Sequence, residues 1–167
     1  QGRFRYPPVV ALFRVRSRSE AEAFTFKLVN VHIDPDRTAV ELALLDEVYK
    51  AIRDDGPEED DLILIGDFGA AESSTCPLGG IPDMIWLIAG TPTTIRGTRP
   101  VDNMLFNRRA TIEFTGRCGV LDLMRQYDLT WRGASEVSEH LPVWAEFSSH
   151  EGGSPGHVAA GTDLSAR

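Results

Sequence analysis

Leu62-Ile63-Leu64-Ile65-Gly66-Asp67-Phe68-Gly69, residues 62–69, is an unbroken apolar run that stops at a glycine and a carboxylate. Large aliphatic residues without polar alternation suit a strand covered on both faces, at the centre of a layered sheet. Such a strand delivers Asp67 to the rim of the sheet, where a polar side chain reaches solvent or substrate.

Upstream, residues 8–15 and 24–32 are rich in β-branched and aromatic side chains and read as strands, with the polar stretch 17–22 as their hairpin loop. Asp34-Pro35-Asp36 breaks the second strand and starts a helix, in which Val40, Leu44, Leu45, Val48 and Ile52 recur at helical spacing on one face. That helix ends near Asp54-Asp55-Gly56-Pro57, and the acidic turn 58–61 leads into the apolar run. Downstream, residues 70–83 are a Ser/Gly/Pro-rich loop, 84–89 a short apolar piece and 101–106 a strand. Residues 111–115 and 120–124 are apolar, with turns expected around Gly116 and Gly119, and 142–147 alternates like a final strand. A helix crossing between two strands, with strands outnumbering helices, implies an α/β or α+β layered fold with a mixed sheet. From Ser148 the composition turns to small and polar residues, so a domain over 1–147 and a disordered tail over 148–167 are expected.

The chain has 167 residues, enough for one domain, and its 42% hydrophobic content can fill an ordinary core. Asp and Glu number 25 against 17 Lys and Arg, a formal charge of −8, which argues against capture of phosphate backbones by the surface as a whole. A nucleic-acid substrate would need a local basic groove or bound cations. Cys76 and Cys118 lie far apart and lack metal-ligand spacing, so neither a disulfide framework nor a zinc site is indicated. No run resembles a membrane span or a secretory signal, and a soluble, cytoplasmic protein is the expectation. The chain opens on Gln1 rather than Met, and its true N-terminus is expected upstream.

Polar residues gather where strands end: Asn30-Val31-His32, Gly66-Asp67-Phe68 and Ser138-Glu139-His140-Leu141-Pro142, with Asp102 interrupting an apolar strand. Taken singly, each has an ordinary reading as a cap, a turn or a solvated edge. Together they form what hydrolysis of a phosphate ester needs: carboxylates for a hard cation, an orienter for water, and donors toward developing negative charge.

These clusters, in this order, resemble the endonuclease/exonuclease/phosphatase superfamily, the deoxyribonuclease I-like proteins. Its pattern is a strand ending Asn-x-His-Leu, a helix, a hydrophobic strand ending Gly-Asp-x-Asn, a strand carrying an Asp, and finally Ser-Asp-His-x-Pro-Val. Here it runs Asn30-Val31-His32-Ile33, Gly66-Asp67-Phe68-Gly69, Val101-Asp102-Asn103, Ser138-Glu139-His140-Leu141-Pro142-Val143, preceded by Arg5-Tyr6-Pro7-Pro8. The resemblance covers roughly residues 3–147 and implies a partial two-sheet sandwich, with a mixed, mainly antiparallel sheet under helical cover. It implies a phosphodiester or phosphomonoester hydrolase dependent on Mg²⁺ or Mn²⁺, with nucleic acid among its substrates. His140 would act as acid/base at the phosphate, Asp102 orient it, Asp67 position the water near the metal, and Glu139 stand beside the metal. His32 would serve the leaving oxygen, and Arg5 and Asn30 the substrate.

The chain departs from that pattern. Gly69 replaces the amide of Gly-Asp-x-Asn, and Glu139 replaces an aspartate. The family's N-terminal half, which supplies an Asn and a metal-binding Glu, is not represented. A C-terminal portion of the domain is therefore expected, weak or inactive alone, with one sheet face needing a partner or the missing half to cover it. The alternative is a non-catalytic remnant serving as a binding or interaction module. A third reading is an unrelated α/β protein.

Overall fold

The computed structural model describes residues 3–16, 19–55, 59–69 and 77–152. The expected hairpin is β1 (Val9–Arg14) and β2 (Thr25–His32), antiparallel in register from Val9 opposite Asn30 to Arg14 opposite Thr25. α1 (Thr38–Asp54) then carries the chain across to β3 (Leu62–Asp67), which lies parallel to β2, as a helical crossover permits. After a 3₁₀ turn at Pro77–Gly80 come β4 (Met84–Trp86) and β5 (Asp102–Asn107), and the sheet order is β1-β2-β3-β5-β4. β3 sits in the middle with neighbours on both sides, as its apolar run requires. The fold is α+β, a mixed five-stranded sheet with few helices.

Side-chain alternation divides the sheet into two faces. Val29, Val31, Leu62, Leu64 and Leu105 point to one, where Leu42, Leu45 and Tyr49 of α1 close a core with Phe68. Ile63, Met104 and Phe106 point to the other, where they meet Phe24, Phe114 and Phe147. The last two belong to β6 (Phe114–Val120) and β7 (Val143–Phe147), a two-stranded antiparallel sheet stacked on the first. Between them run α2 (Leu123–Tyr127), whose N-cap Asp122 accepts the Arg125 N–H, and α3 (Trp131–Val137), whose N-cap Thr130 accepts the Gly133 N–H.

Several expectations are corrected. Gly116 and Gly119 are not turns: β6 runs through both, with a register shift between Phe114 and Cys118. A glycine is used at 119 because the Trp144 indole lies across it, 3.2 Å from where a Cβ would stand. The buried stripe of α1 is Glu41, Leu42, Leu45 and Tyr49, whereas Val40 is half exposed. Burying Glu41 rotates the helix, because its carboxylate takes the backbone N–H of Arg5 at 2.9 Å and of Asp34 at 3.0 Å. Neither short helix, α2 nor α3, is marked by periodicity.

Ser148–Gly152, expected in the tail, dock on the sheet instead: Phe24 N–H donates to the Ser149 carbonyl and Glu151 N–H to that of Glu22. Cys76, the first half of the 70–83 loop and the remainder of the expected tail lie outside the described residues. The edge strand β1 is left open on both faces: Val9 and Leu12, which point to opposite sides of the sheet, are 63% and 67% exposed.

Candidate active site

Register brings the strand-end residues together. Asp67 of β3 is directly opposite Asp102 of the antiparallel β5, and beside His32 of the parallel β2. Alternation puts Asn30, His32, Asp67 and Asp102 on the face shared with Ile65 and Met104, away from α1. Gly66 is required for this ending: its φ is +138°, and a Cβ there would stand 2.0 Å from the Val31 carbonyl oxygen. The glycine of the Gly-Asp pair thus answers to the close approach of β2.

His140 arrives from the turn between α3 and β7. Its backbone N–H donates to Ser138 Oγ at 3.0 Å, and Leu141 N–H donates to the Thr93 carbonyl at 2.6 Å. Its Nδ1 lies 2.8 Å from Asp102 Oδ2 and 3.0 Å from Oδ1. With a carboxylate at Nδ1, that nitrogen carries the proton, and Nε2 is left free to act on a substrate. The Asp102 side chain is 14% exposed and that of His140 is 41% exposed, so the pair is held from below and open above. Ligand atoms of Asp67, Asp102 and His140 all lie within 4.8 Å of one another. Asp67 Oδ1 accepts the Gly69 N–H at 2.7 Å, which fixes the carboxylate and leaves its second oxygen available.

Asp102 is placed by Thr93, whose buried hydroxyl accepts the N–H groups of Val101 and Asp102 at 3.0 and 2.9 Å. Next to it Asn103 is fully engaged with the main chain of Ile88, donating through Nδ2 and accepting through Oδ1. Nothing near Thr93 in the sequence announces this role, because its partners come eight and nine residues later and depend on the turn between.

The other expected residues are spread around this centre. His32 is exposed, its ring in a T-shaped contact with Tyr6 at 4.9 Å between centroids. Asn30 is exposed one pleat further down the same strand. Arg5 is engaged below the rim: Nη1 pairs with the buried Asp34 at 3.3 Å, and its guanidinium lies over Tyr6. The backbone N–H of Asp36, then Arg5, hold the Asp34 carboxyl below the usual range, and Asp34 in turn raises Arg5. Glu139 is exposed and stands outside the Asp67-Asp102-His140 group.

Beside His140 and Glu139 opens a cleft of about 450 Å³, lined by Thr94, Arg96, Arg99 and Trp131 among others. The Arg96 guanidinium lies 5.9 Å from the Trp131 ring centroid, and Arg99 Nη2 donates to the Gly69 carbonyl at 3.5 Å. An acidic chain therefore places two arginines and an exposed indole next to its Asp-His pair. The arginines come from the 94–99 turn and the indole from α3, so no contiguous basic or aromatic pattern marked the cleft in the sequence.

The folded chain is similar to the endonuclease domain of TRAS1, a telomere-specific non-LTR retrotransposon, with a TM-score of 0.54 at 17% identity, over 84% of this chain and 68% of that one. Two cytolethal distending toxin structures, from Haemophilus ducreyi and Actinobacillus actinomycetemcomitans, also match, at 17% and 16% identity with TM-scores of 0.49 and 0.47. They are matched over 82% and 81% of this chain and 58% of each toxin chain. No family model and no curated protein matches the sequence. The fold is deoxyribonuclease I-like, as in the TRAS1 endonuclease domain, of which this chain matches 68% of the length. Among the described residues no helix is long and apolar enough to cross a membrane.

Proposed function

We infer that this chain is the C-terminal portion of a metal-dependent phosphodiester hydrolase of nuclease type. The observation that carries this reading is the Asp102–His140 contact of 2.8 Å beside Asp67, on one rim of a sheet with this fold. Asp67 and Asp102 offer hard oxygen donors that suit Mg²⁺ or Mn²⁺, and Glu139, next to His140 in the chain but outside this group, is the further carboxylate that could reach the cation. Such a cation, when bound, would polarise a phosphoryl oxygen and lower the pKa of water. The remaining work falls to the chain itself. Asp67 orients the attacking water, His140 presents Nε2 to the phosphate while Asp102 holds its tautomer, and His32 stands on the neighbouring strand for the leaving oxygen. Asn30 lines the same face as a substrate contact, and Arg5 supports that side through Asp34.

Nucleic acid is the favoured substrate. The Arg96, Arg99 and Trp131 cleft supplies what the overall charge withholds: cations for backbone phosphates and a flat ring for a base. The exposed apolar residues of β1 are covered in the working protein by further layers of the sandwich or by a partner, which fits a chain spanning 68% of the TRAS1 endonuclease domain it matches.

Alone, the chain should nick supercoiled DNA slowly at best. The test pairs Mn²⁺-induced broadening of the His140 and His32 imidazole signals with Mn²⁺-dependent nicking by wild type and His140→Ala. Broadening at His140, and a loss of about 100-fold or more of whatever nicking occurs in His140→Ala, is expected. Undisturbed His140 signals, or undiminished cleavage by the variant, would refute the assignment. A binding remnant is the second reading, and Gly69, which lacks the amide of the related motif, favours it. It gains if DNA binds at the cleft but no cleavage appears even when the missing half is supplied and Gly69 is changed to Asn.

A further inference from the structure

At the opposite end of β3 from Asp67, roughly 20 Å away by strand rise, a second acidic group forms. Asp61 precedes β3, Glu113 precedes β6 and Glu151 follows β7, and a carboxyl oxygen from each lies within 4.8 Å of the others. Asp61 and Glu113 are 1% and 2% exposed. Acidic side chains on a surface often cluster without consequence, but two carboxylates removed from water do not. Asp61 Oδ1 is shielded from solvent and has no hydrogen-bond partner, and no Lys or Arg pairs with Asp61 among the described residues. The charges that act on it, from Glu113, Glu59 and Asp60, share its sign.

The other carboxylates are aimed by the main chain. Glu113 Oε1 accepts the Gly152 N–H and Glu151 Oε2 accepts the Thr25 N–H, both at 2.9 Å. Each of these two side chains thereby has its orientation set by a main-chain N–H. A buried carboxylate with no cationic partner and one oxygen unsatisfied is costly unless something positive joins it. Three carboxylates from three separate segments offer only hard oxygen donors, the ligand type that Ca²⁺ takes in flexible geometry. Mg²⁺ dehydrates reluctantly and keeps several waters, which suits poorly a group in which Asp61 and Glu113 are shut off from solvent.

We propose that Asp61, Glu113 and Glu151 form a structural calcium site that fastens the segment after β7 to the starts of β2 and β3. The site is separate from the Asp67–Asp102 rim and does not depend on the proposed hydrolase activity. It explains why the chain stays docked past Ser148: the carboxylate of Glu151 crosses to β2, and Gly152 crosses to Glu113.

The test is thermal melting of the chelator-treated chain with added Ca²⁺ or Mg²⁺, with calorimetric titration of Ca²⁺. Wild type should melt about 5–10 °C higher once Ca²⁺ is near a hundredfold above its dissociation constant. An Asp67→Asn, Asp102→Asn double variant, which disables the other acidic rim, should keep that shift. Asp61→Asn, which removes the cation-binding carboxylate without removing volume, should lose the shift yet melt in chelator at neutral pH close to wild type. The same result with Glu113→Gln guards against a local folding defect in one variant. Absence of a wild-type shift at millimolar Ca²⁺, survival of the shift in Asp61→Asn, or an equal response to Mg²⁺ would overturn the proposal.

Discussion

Gly69 is where the residue scale decides most. Its φ of +61° lies in the left-handed region, its N–H holds Asp67 and its carbonyl receives Arg99. Asn is the residue other than Gly that adopts this conformation most readily. A Cβ at this position would come closest to the Thr38 side chain, 3.2 Å from Oγ1, which can shift. Gly69→Asn is therefore expected to cost no more than about 1 kcal/mol in urea denaturation. It should raise phosphodiester cleavage about 10-fold or more, since it returns an aimed donor next to Asp67. An unchanged rate in a folded variant would show that the site does not use a donor there. The Gly-Asp and Glu-His pairs were legible as residues, but the conformations that make them useful were not. Gly66 is dictated by the Val31 carbonyl of another strand, and Thr93 orients Asp102 through a turn whose shape no local pattern specifies.

At the scale of elements, α1 shows how a single buried acid can outweigh an apolar stripe. Periodicity selects Val40, Leu44, Leu45, Val48 and Ile52, yet the helix turns to bury Glu41 in place of Val40. Two main-chain N–H groups, from Arg5 and Asp34, have Glu41 as their acceptor, and Arg37 lies 3.5 Å from it. Leaving buried donors unsatisfied costs more than half-exposing a valine. Glu41→Ala is accordingly expected to destabilise the chain by about 2–4 kcal/mol in urea denaturation. Glu41→Gln, which keeps an acceptor, should recover part of that loss. An effect near zero for Glu41→Ala would mean that these contacts do not hold the Arg5 segment to the helix. The strands fared better because each of β1, β2, β3 and β5 is a local run of β-branched or aliphatic residues with its own turn signals. The glycines of β6 misled because they serve packing against Trp144 and a bulge rather than a turn.

For the whole molecule, two buried carboxyls, Asp61 and Asp34, give a pH dependence with a definite sign. Burial first, then the negative charges of Glu113, Glu59 and Asp60, push the Asp61 carboxyl up to about 8, against a lowering contribution from Thr111. A carboxyl with a raised folded-state pKa takes up a proton on folding, so its contribution is full below pH 4 or so and is lost as pH rises through about 8. In chelator, the wild-type urea midpoint should therefore fall between about pH 4 and 8, and this fall should be absent in Asp61→Asn. Asp34, lowered by the Asp36 N–H and Arg5, acts in the opposite sense: its contribution is present above about pH 4 and fades below it. A wild-type midpoint independent of pH over the upper window would show that Asp61 ionises freely in the folded chain.

The amino-acid sequence by itself determined the strand, helix and strand series through Asp67, the order of the polar clusters and their likeness to the deoxyribonuclease I-like pattern. These follow from hydrophobic period and turn chemistry, which act over a few residues at a time. Only the tertiary structure decided that His140 meets Asp102 from 38 positions away, and that Arg96 and Arg99 share a cleft with Trp131. It likewise decided that Asp61, Glu113 and Glu151 converge at the far end of the sheet. Each of those meetings depends on strand register and on how one layer stacks on another, quantities set by the packing of the whole core and carried by no single segment.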